Sequence, residues 1–183
     1  MDLQNKRIVI TGGAGFVGSH LTERLVADNE VVVVDDFRNS ERDWVHEDAA
    51  VVEGDLTDSE TVTEAITPET DIVFHFAADK DAARDDIEQY RVNNELTETV
   101  VERMHAVGVE HIAFTSSSVV YGEAPRPTPE DFAPLEPISI YGASKLGEEG
   151  LLSVFAHSHG FTVWNFRFAN IVGPRLQLGS VIP

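Results

Sequence analysis

Short β-branched segments alternate with helical segments along the whole chain, beginning with the stretch RIVIT at 7–11. The next such stretch, VVVVD at 31–35, is an unbroken apolar run, which is typical of a strand covered on both faces. Between these runs the apolar residues fall at helical spacing. Strands that alternate with helices pair in parallel through right-handed crossovers. We therefore predict an α/β fold, a doubly wound parallel sheet flanked by helices.

The same patterns give the bounds of the predicted elements. Strands are predicted over residues 7–11, 31–35, 51–55, 72–78, 111–118 and 162–170. Helices are predicted from residue 16 to a stop near Asn29, after a cap at Asp58 or Ser59, from about Asp85 to 106, and from about 140 to 157. Gly108 and Gly160 mark the ends of the last two helices. A proline-rich loop occupies residues 122–139.

The charge balance limits the partners that the surface can bind. The 183 residues carry 32 acidic and 13 basic side chains, for a net charge of −19. Nucleic acids and anionic membranes require clustered positive charge, so we expect neither as a partner. The acidic surface is either an ordinary solvated face or an adaptation to high salt, in which counterions screen the self-repulsion.

The absence of cysteine restricts the redox and metal chemistry of the chain. Without cysteine, disulfides and thiolate metal sites are excluded, and we expect no metal site. We find no signal-peptide pattern and no apolar run near the roughly 20 residues that a membrane span needs. These features predict a cytoplasmic location.

A glycine-rich turn, TGGAGFVG at 11–18, follows the first predicted strand and opens the first helix. It fits the Gly-x-Gly-x-x-Gly pattern, in which glycines let the backbone approach a pyrophosphate at a helix N-terminus. Asp35 ends the next strand, where a carboxylate would bond ribose hydroxyls and repel a 2′-phosphate, so NAD is favoured over NADP. Arg38 stands nearby and can accept that phosphate, which keeps NADP as the alternative. A simple tight turn is the other interpretation.

Tyr141 and Lys145 are four residues apart and so share one helix face. An ammonium beside a phenol stabilises the phenolate and lowers its pKa from about 10, which makes tyrosine a usable general base. Ser117, near the end of the fifth strand, adds a hydroxyl that could hold a substrate oxygen. The Tyr-x-x-x-Lys spacing is common by chance, so an amphipathic tyrosine with a surface lysine is the alternative.

Several motifs follow one another in an order typical of one family. They are TGGAGFVG, the acidic end of VVVVDD, GDLTD, HFAA, SSSVVYG, YGASK and RFANIVGPR. From Arg7 to Arg175 the chain resembles the nucleotide-sugar epimerase/dehydratase family, the extended short-chain dehydrogenases/reductases. The resemblance implies a Rossmann-type NAD-binding domain over residues 1–183, NAD as cofactor and a nucleotide-sugar substrate, with a UDP-sugar favoured.

The resemblance also implies roles for individual residues. Catalysis falls on Ser117, Tyr141 and Lys145. Cofactor binding falls on Gly12, Gly15, Phe16, Val17, Asp35, Asp36, Asn39, Ser40, Asp55, Leu56, Ala77, Ala78, Lys80, Asn93, Tyr141 and Lys145. Substrate binding falls on Ser117, Tyr141 and Asn170. Within these sets, Asp55 and Leu56 would bracket the adenine, and Asn93 would brace the active-site strands.

The implied reaction is a transient oxidation at sugar C4, in which Tyr141 removes a hydroxyl proton. Ser118 and Val119 stand where the 4,6-dehydratases of the family carry an Asp-Glu pair, so a UDP-glucose 4-epimerase-like enzyme is favoured. The alternatives are another dehydratase or reductase of the family and a cofactor-binding fragment without turnover of its own. A redox-sensing NAD binder is a further reading that no positive feature supports.

Family members continue well beyond the last motif, so we expect the small C-terminal substrate domain to be missing after about residue 175. The resemblance also implies a homodimer in which the long helix and the YGASK helix pair across a two-fold axis. The apolar residues that could fill this seam, or instead face their own sheet, are Leu146, Leu151, Leu152, Val154 and Phe155.

Several residues near the motifs have a structural interpretation. His75 is expected to be a buried strand histidine rather than a ligand. Ser116 and Ser118 are expected to make local backbone hydrogen bonds. Gly142 and Gly147 weaken a helix, which close approach of a cofactor or a partner helix would explain.

Overall fold

The computed structural model describes residues 2–80 and 86–176. These residues contain one parallel sheet, which is flanked by helices. The strands are β1 (Arg7–Thr11), β2 (Glu30–Asp35), β3 (Ala50–Glu53), β4 (Ile72–His75), β5 (His111–Ser117) and β6 (Thr162–Phe168). The helices are α1 (Phe16–Leu25), α2 (Ser59–Ala65), α3 (Ile87–Val107) and α4 (Ile140–His159), with short 3-10 helices at Arg42–Trp44 and Ser118–Tyr121. The predicted start of the long helix at Asp85 and the expected end of the domain at 177–183 lie outside the described residues.

The strand order is β3-β2-β1-β4-β5-β6, with all neighbours parallel. This order is that of the Rossmann fold, and the predicted fold class is confirmed. Strands β1 to β3 follow one another toward one edge of the sheet and β4 to β6 toward the other, so the strand order reverses between β1 and β4. These two strands are neighbours, and Thr11 lies opposite His75 at their carboxyl ends. A crevice opens at such a reversal, so the residues that follow β1 and β4 border the expected ligand site.

Alternation along the strands divides the core between the two faces of the sheet. One face carries Val9, Val32, Val73 and Phe114, which pack with residues of α2, α3 and α4. The opposite face carries Ile8, Ile10, Val33 and Phe74, which pack with α1. The helices on both faces explain why these strands read as continuous apolar runs rather than as alternating ones.

Four strands, β3 to β6, end earlier than the apolar patterns predicted. Strand β4 ends at His75 because the next two residues leave the ladder, and both of their N–H groups point to Thr11 Oγ1. Strand β5 ends at Ser117, whose hydroxyl accepts from Val119 N and caps a 3-10 helix. The predicted helix stops at Gly108 and Gly160 are confirmed, since both glycines adopt a φ of +78°. Over the described residues, no helix has the length and apolar character needed to span a bilayer.

Helix α1 presents small residues to the sheet. The sequence pattern had pointed to Leu21 and Leu25, which are half-buried, whereas Gly18, Ser19 and Thr22 are buried. A Cβ added to Gly18 would lie 2.4 Å from the carbonyl oxygen of Gly12. The close approach of the helix to the glycine turn therefore depends on these small residues.

Candidate functional site

The glycine turn lies at the carboxyl end of β1 and packs against the segment that follows β4. Gly12 adopts a φ of +64°, and a Cβ on it would lie 2.8 Å from the backbone nitrogen of Ala77. Gly15 is the N-cap of α1, where it adds no side chain between the helix start and the crevice. Phe16 and Val17 follow as the first, half-buried residues of the helix. A helix start without a side-chain cap leaves its first amides for a ligand, which fits a pyrophosphate.

Asp35 ties the end of β2 to the glycine turn. Its Oδ2 atom accepts from Ala14 N at 3.0 Å, and its Oδ1 atom accepts from Phe37 N at 3.0 Å and from Ser40 Oγ at 2.7 Å. Ser40, predicted to contact the cofactor, thus has a protein partner in this arrangement. Each carboxylate oxygen can accept two hydrogen bonds, so Oδ2 keeps capacity for a ribose hydroxyl.

Arg38 is engaged by two carboxylates. Its Nη2 atom lies 2.8 Å from Asp55 Oδ2, and its Nε atom lies 3.3 Å from Asp36 Oδ2. The hydrogen bond from the N–H of Thr57, with a smaller contribution from Arg38, holds the pKa of Asp55 below its usual range. The arginine that left NADP open is therefore already neutralised by its neighbours, which weakens that alternative.

The other predicted cofactor residues are placed as follows. Leu56 is buried in the core behind β2, so its side chain faces away from solvent. Ala77 and Ala78 are half-buried just after β4, whereas Asn39 and Lys80 are exposed. Asn170 is exposed two residues beyond β6. Leu56 can thus border an adenine through its backbone, and the others remain accessible to a ligand.

Asn93 is a fully buried brace between α3, α4 and the segment after β4. Its Oδ1 atom accepts from Asp79 N at 2.7 Å. Its Nδ2 atom donates to Asp79 O at 3.0 Å and to Ser144 Oγ at 3.1 Å. These bonds fit the predicted bracing role. They leave Asn93 poorly placed for the direct cofactor contact that we had also predicted, because its amide is occupied and buried.

Tyr141 and Lys145 lie on the first turns of α4. Ser139 caps this helix by accepting from Gly142 N at 3.0 Å, which fixes the helix start one residue before the tyrosine. The Nζ atom of Lys145 is 5.9 Å from the centroid of the Tyr141 ring and 4.6 Å from that of Phe114. The predicted shared helix face is confirmed, and the lysine is buried rather than on the surface.

Glu148 is an acidic residue beside this pair that the sequence analysis missed. Its Oε2 atom is 3.1 Å from Lys145 Nζ, and both side chains are 1% exposed. Burial, with the negative charge of Glu148 acting in the same direction, raises the pKa of Tyr141 to about 12. The predicted lowering of the Tyr141 pKa is wrong for this arrangement, because the phenol is buried and Glu148 adds a negative charge nearby. The i, i+3 spacing of lysine and glutamate was the available signal.

Ser117 lies half-buried at the carboxyl end of β5, next to the start of α4. A Cβ on Gly142 would lie 3.2 Å from the carbonyl oxygen of Val119, in the 3-10 helix that Ser117 caps. The segments that carry Ser117 and Tyr141 are therefore in contact, and Gly142 permits this approach. Gly147 permits close packing of α4 on α3, since a Cβ added to it would lie 2.9 Å from Asn94 Oδ1 on α3.

Ser116 points to the other side of β5 and joins a polar cluster. Its hydroxyl is 2.5 Å from Glu149 Oε1, so the predicted local backbone bond is wrong. Glu149 is held beside Ser116 by Arg167 on β6, which donates to both oxygens of the Glu149 carboxylate, at 2.9 and 2.7 Å. Arg167 also donates to the hydroxyl of Tyr121 at 2.9 Å. A cavity of about 820 Å³ lies beside this cluster, between β6 and the proline-rich loop.

His75 is fully buried at the carboxyl end of β4, as predicted. Its Nδ1 atom is 2.7 Å from Thr11 Oγ1, and its Nε2 atom is 3.0 Å from Thr97 Oγ1. Burial, together with the charge of Lys145, lowers the pKa of His75 to about 3, so the ring is neutral. Across residues 2–80 and 86–176, no group of three His, Asp or Glu side chains is arranged to hold a metal ion.

Comparisons with known proteins agree with this geometry. Residues 8–183 match the model of the NAD dependent epimerase/dehydratase family. The UDP-glucose 4-epimerase of Streptococcus mutans is 31% identical over 175 residues, which cover 92% of this chain and 53% of the relative.

Two solved structures extend the comparison. The UDP-glucose 4-epimerase of Thermus thermophilus, in complex with NAD, is 34% identical with a TM-score of 0.87, over 96% of this chain and 58% of that one. The UDP-glucose 4-epimerase of Thermotoga maritima, with UDP-glucose, is 32% identical with a TM-score of 0.86, and the match covers 92% of this chain and 57% of that one. The chain spans about half the length of the curated relatives it matches.

Proposed function

Because the chain belongs to the NAD dependent epimerase/dehydratase family, we propose that it is the cofactor-binding part of a nucleotide-sugar 4-epimerase. The observation that carries this proposal is the position of Tyr141, Lys145 and Ser117. They lie on segments in contact, on the same edge of the sheet as the glycine turn that begins at Gly12. The relatives named UDP-glucose 4-epimerase favour a UDP-sugar as the substrate.

The residues of the crevice fit NAD. The turn at Gly12 and Gly15, with Phe16 and Val17 behind it, would hold the pyrophosphate. Asp35 would bond the adenosine ribose, and the engagement of Arg38 by Asp55 supports NAD over NADP. The remaining proposed contacts come from Asp36, Asn39, Ser40, Leu56, Ala77, Ala78 and Lys80.

The proposed chemistry follows from the groups at the start of α4. When bound, NAD would accept hydride from the carbon that carries the sugar 4-hydroxyl and return it to the opposite face of that carbon. Tyr141 removes the proton of that hydroxyl, for which its ring must ionise against the pKa of about 12 that burial and Glu148 give it in this arrangement. Ser117 donates a hydrogen bond to the same oxygen, and Lys145 offsets the negative charge that develops beside it. The 4-keto sugar then turns in the site, and Tyr141 returns the proton, with Asn170 proposed to contact the sugar nucleotide.

A 4-epimerase is preferred to a 4,6-dehydratase because elimination lacks its acid and base here. Ser118 and Val119 follow Ser117, so no carboxylate stands in the two positions after the proposed catalytic serine. The second candidate function is a cofactor-binding unit without turnover. It would need only the glycine turn and Asp35, which the structure holds together through the hydrogen bond from Ala14 N to Asp35 Oδ2.

Turnover of nucleotide sugars by the full protein tests these proposals. UDP-, dTDP- and GDP-sugars are each incubated with it, the sugar products are separated, and the bound nucleotide is identified by mass spectrometry. Interconversion of UDP-glucose and UDP-galactose with NAD retained supports the epimerase. Release of a 4-keto-6-deoxy sugar supports a dehydratase, and binding of NAD without turnover supports the second candidate.

We also propose a homodimer that uses the exposed sides of α3 and α4. Ile87 and Val154 are 53% and 55% exposed on these helices. Leu152 is buried in the core of its own sheet, whereas Leu151 and Phe155 pack against that core and stay partly exposed. A monomer in light scattering at working salt would contradict the dimer.

A cytoplasmic location and adaptation to high salt remain proposals that rest on the composition. The net charge of −19 is the observation that supports salt adaptation. Loss of circular dichroism on dialysis to low salt is the expected result, and an unchanged spectrum would contradict it.

A further inference from the structure

Glu148 is a buried carboxylate that the proposed chemistry leaves unused. It lies on α4, three residues after Lys145, and its Oε2 atom is 3.1 Å from the lysine Nζ. Both side chains are almost completely removed from solvent. Removing two charges from water costs free energy that their attraction often fails to offset, so stability alone explains the pair poorly. Its position beside Tyr141 suggests a role in the chemistry.

A line of buried hydrogen bonds leads from the glycine turn to this carboxylate. Thr11, the last residue of β1, contacts His75 on β4 with 2.7 Å between Oγ1 and Nδ1. His75 contacts Thr97 on α3 with 3.0 Å between Nε2 and Oγ1. Thr97 donates to Glu148 Oε2 at 2.8 Å. The line therefore crosses four elements and ends at the ion pair.

The chemistry of the groups assigns one direction to these bonds. Thr11 Oγ1 accepts from two backbone N–H groups after β4, so its own hydrogen goes to His75 Nδ1. The histidine is neutral, so its hydrogen is on Nε2 and is donated to Thr97. Thr97 in turn donates to Glu148. Every bond donates toward the carboxylate, which favours its ionised form, whereas burial acts in the opposite direction and leaves the pKa of Glu148 raised.

The charge of Glu148 is compensated on one side only. Its Oε1 atom is buried and, among the residues that the structure describes, has no hydrogen-bond partner. The titratable groups around it are Lys145, Tyr141 and Glu149 on α4 and His75 on β4, while α3 contributes the hydroxyl of Thr97. Lys145 is thus bound to the carboxylate of Glu148, and its Nζ atom lies 5.9 Å from the centre of the Tyr141 ring.

We propose that Glu148 is a positioning residue that holds the Lys145 ammonium in the site and sets the pH at which Tyr141 ionises. The proposal deepens the proposed function and rests on it, since Tyr141 is the base in both. The carboxylate opposes a second negative charge on the phenol nearby. A lysine bound to a carboxylate allows a nearby tyrosine to ionise at a higher pH than a lysine that serves tyrosine alone.

The substitution Glu148→Gln tests this inference, because it keeps the shape and an acceptor for Thr97 while removing the charge. Tyrosinate absorbance is titrated in the full protein without substrate, and the Tyr141→Phe variant is subtracted to isolate one residue. We expect the Tyr141 midpoint to fall by about one pH unit. The matched control is Glu149→Gln, which removes a neighbouring buried charge that is bound to Arg167, and its midpoint should move less than half as far.

Activity provides the second measurement. In Glu148→Gln the acid limb of the kcat profile should move to lower pH by a similar amount, and Glu148→Asp should restore part of the original profile. A residue with a merely structural role would lower kcat at every pH without moving the limb.

Two outcomes separate this inference from the proposed function. If no nucleotide sugar is turned over, the proposed function fails, while the tyrosinate titration still decides the role of Glu148. If Glu148→Gln does not fold, Glu148→Met keeps the side-chain volume without charge and should give the same shift. A midpoint that stays in place or rises in the folded variant overturns the inference.

Discussion

Arg167 and Glu149 form a bidentate ion pair that joins β6 to α4. The guanidinium donates to both carboxylate oxygens, at 2.9 and 2.7 Å, and the glutamate is nearly buried. Ser116 donates a third bond to the same carboxylate. The pair therefore connects the edge strand of the sheet to the helix that carries Tyr141.

Removing one partner of this ion pair should show how much the pair contributes to the free energy of unfolding. We expect Arg167→Ala to lower the free energy of unfolding by about 2–3 kcal/mol, because it leaves a nearly buried carboxylate without its main partner. Urea denaturation measures the change. The control is Arg91→Ala, which breaks an exposed pair with Glu88 and should cost less than about 0.5 kcal/mol. Equal losses in the two variants would contradict this reading.

Gly12 should tolerate no side chain. Its φ of +64° and the 2.8 Å separation between an added Cβ and Ala77 N lead us to expect that Gly12→Ala loses about 1–3 kcal/mol of stability. NAD affinity, measured by calorimetry, should fall with it, because the turn and the segment after β4 must separate.

Gly150→Ala is the matched control for this substitution. An added Cβ at Gly150, in the interior of α4, would meet no heavy atom within 4 Å. It should leave stability unchanged or raise it by up to about 1 kcal/mol. A Gly12→Ala variant as stable as this control, with unchanged NAD affinity, would refute the proposed role of the turn.

His75 should make the fold sensitive to acid. Its pKa is about 3 in the folded chain, against about 6.5 when unfolded, so the unfolded chain binds the extra proton between these values. Its stabilising contribution is therefore complete above about pH 6.5 and is lost as the pH falls below it, by about 1.4 kcal/mol per pH unit.

The comparison with His75→Gln isolates this contribution, because the carboxylates are the same in both proteins. Between about pH 6 and 5, wild type should lose about 1 kcal/mol more unfolding free energy than the variant in urea titrations. Parallel losses over that range would show that His75 does not carry the proton difference.

The fold and the placement of Tyr141 and Lys145 on one helix face were predictable from the sequence, whereas the ionisation of these two residues was not. Apolar runs and glycine stops located the six strands, and the spacing of Tyr141 and Lys145 placed them on one helix face. The pKa of Tyr141 depends on burial and on Glu148, and neither follows from that four-residue spacing. Ser116 was misjudged for a similar reason, since its partner Glu149 is 33 positions away in the chain.

We propose Tyr141 as the general base of a site that it shares with Lys145 and Ser117. The most direct test is turnover of UDP-glucose and UDP-galactose by the full protein carrying Tyr141→Phe, with Tyr90→Phe as a control that removes a hydroxyl on α3. We predict that kcat falls by about 10²- to 10⁴-fold in Tyr141→Phe with little change in KM, and that the control keeps its activity. Undiminished turnover in Tyr141→Phe would contradict the account.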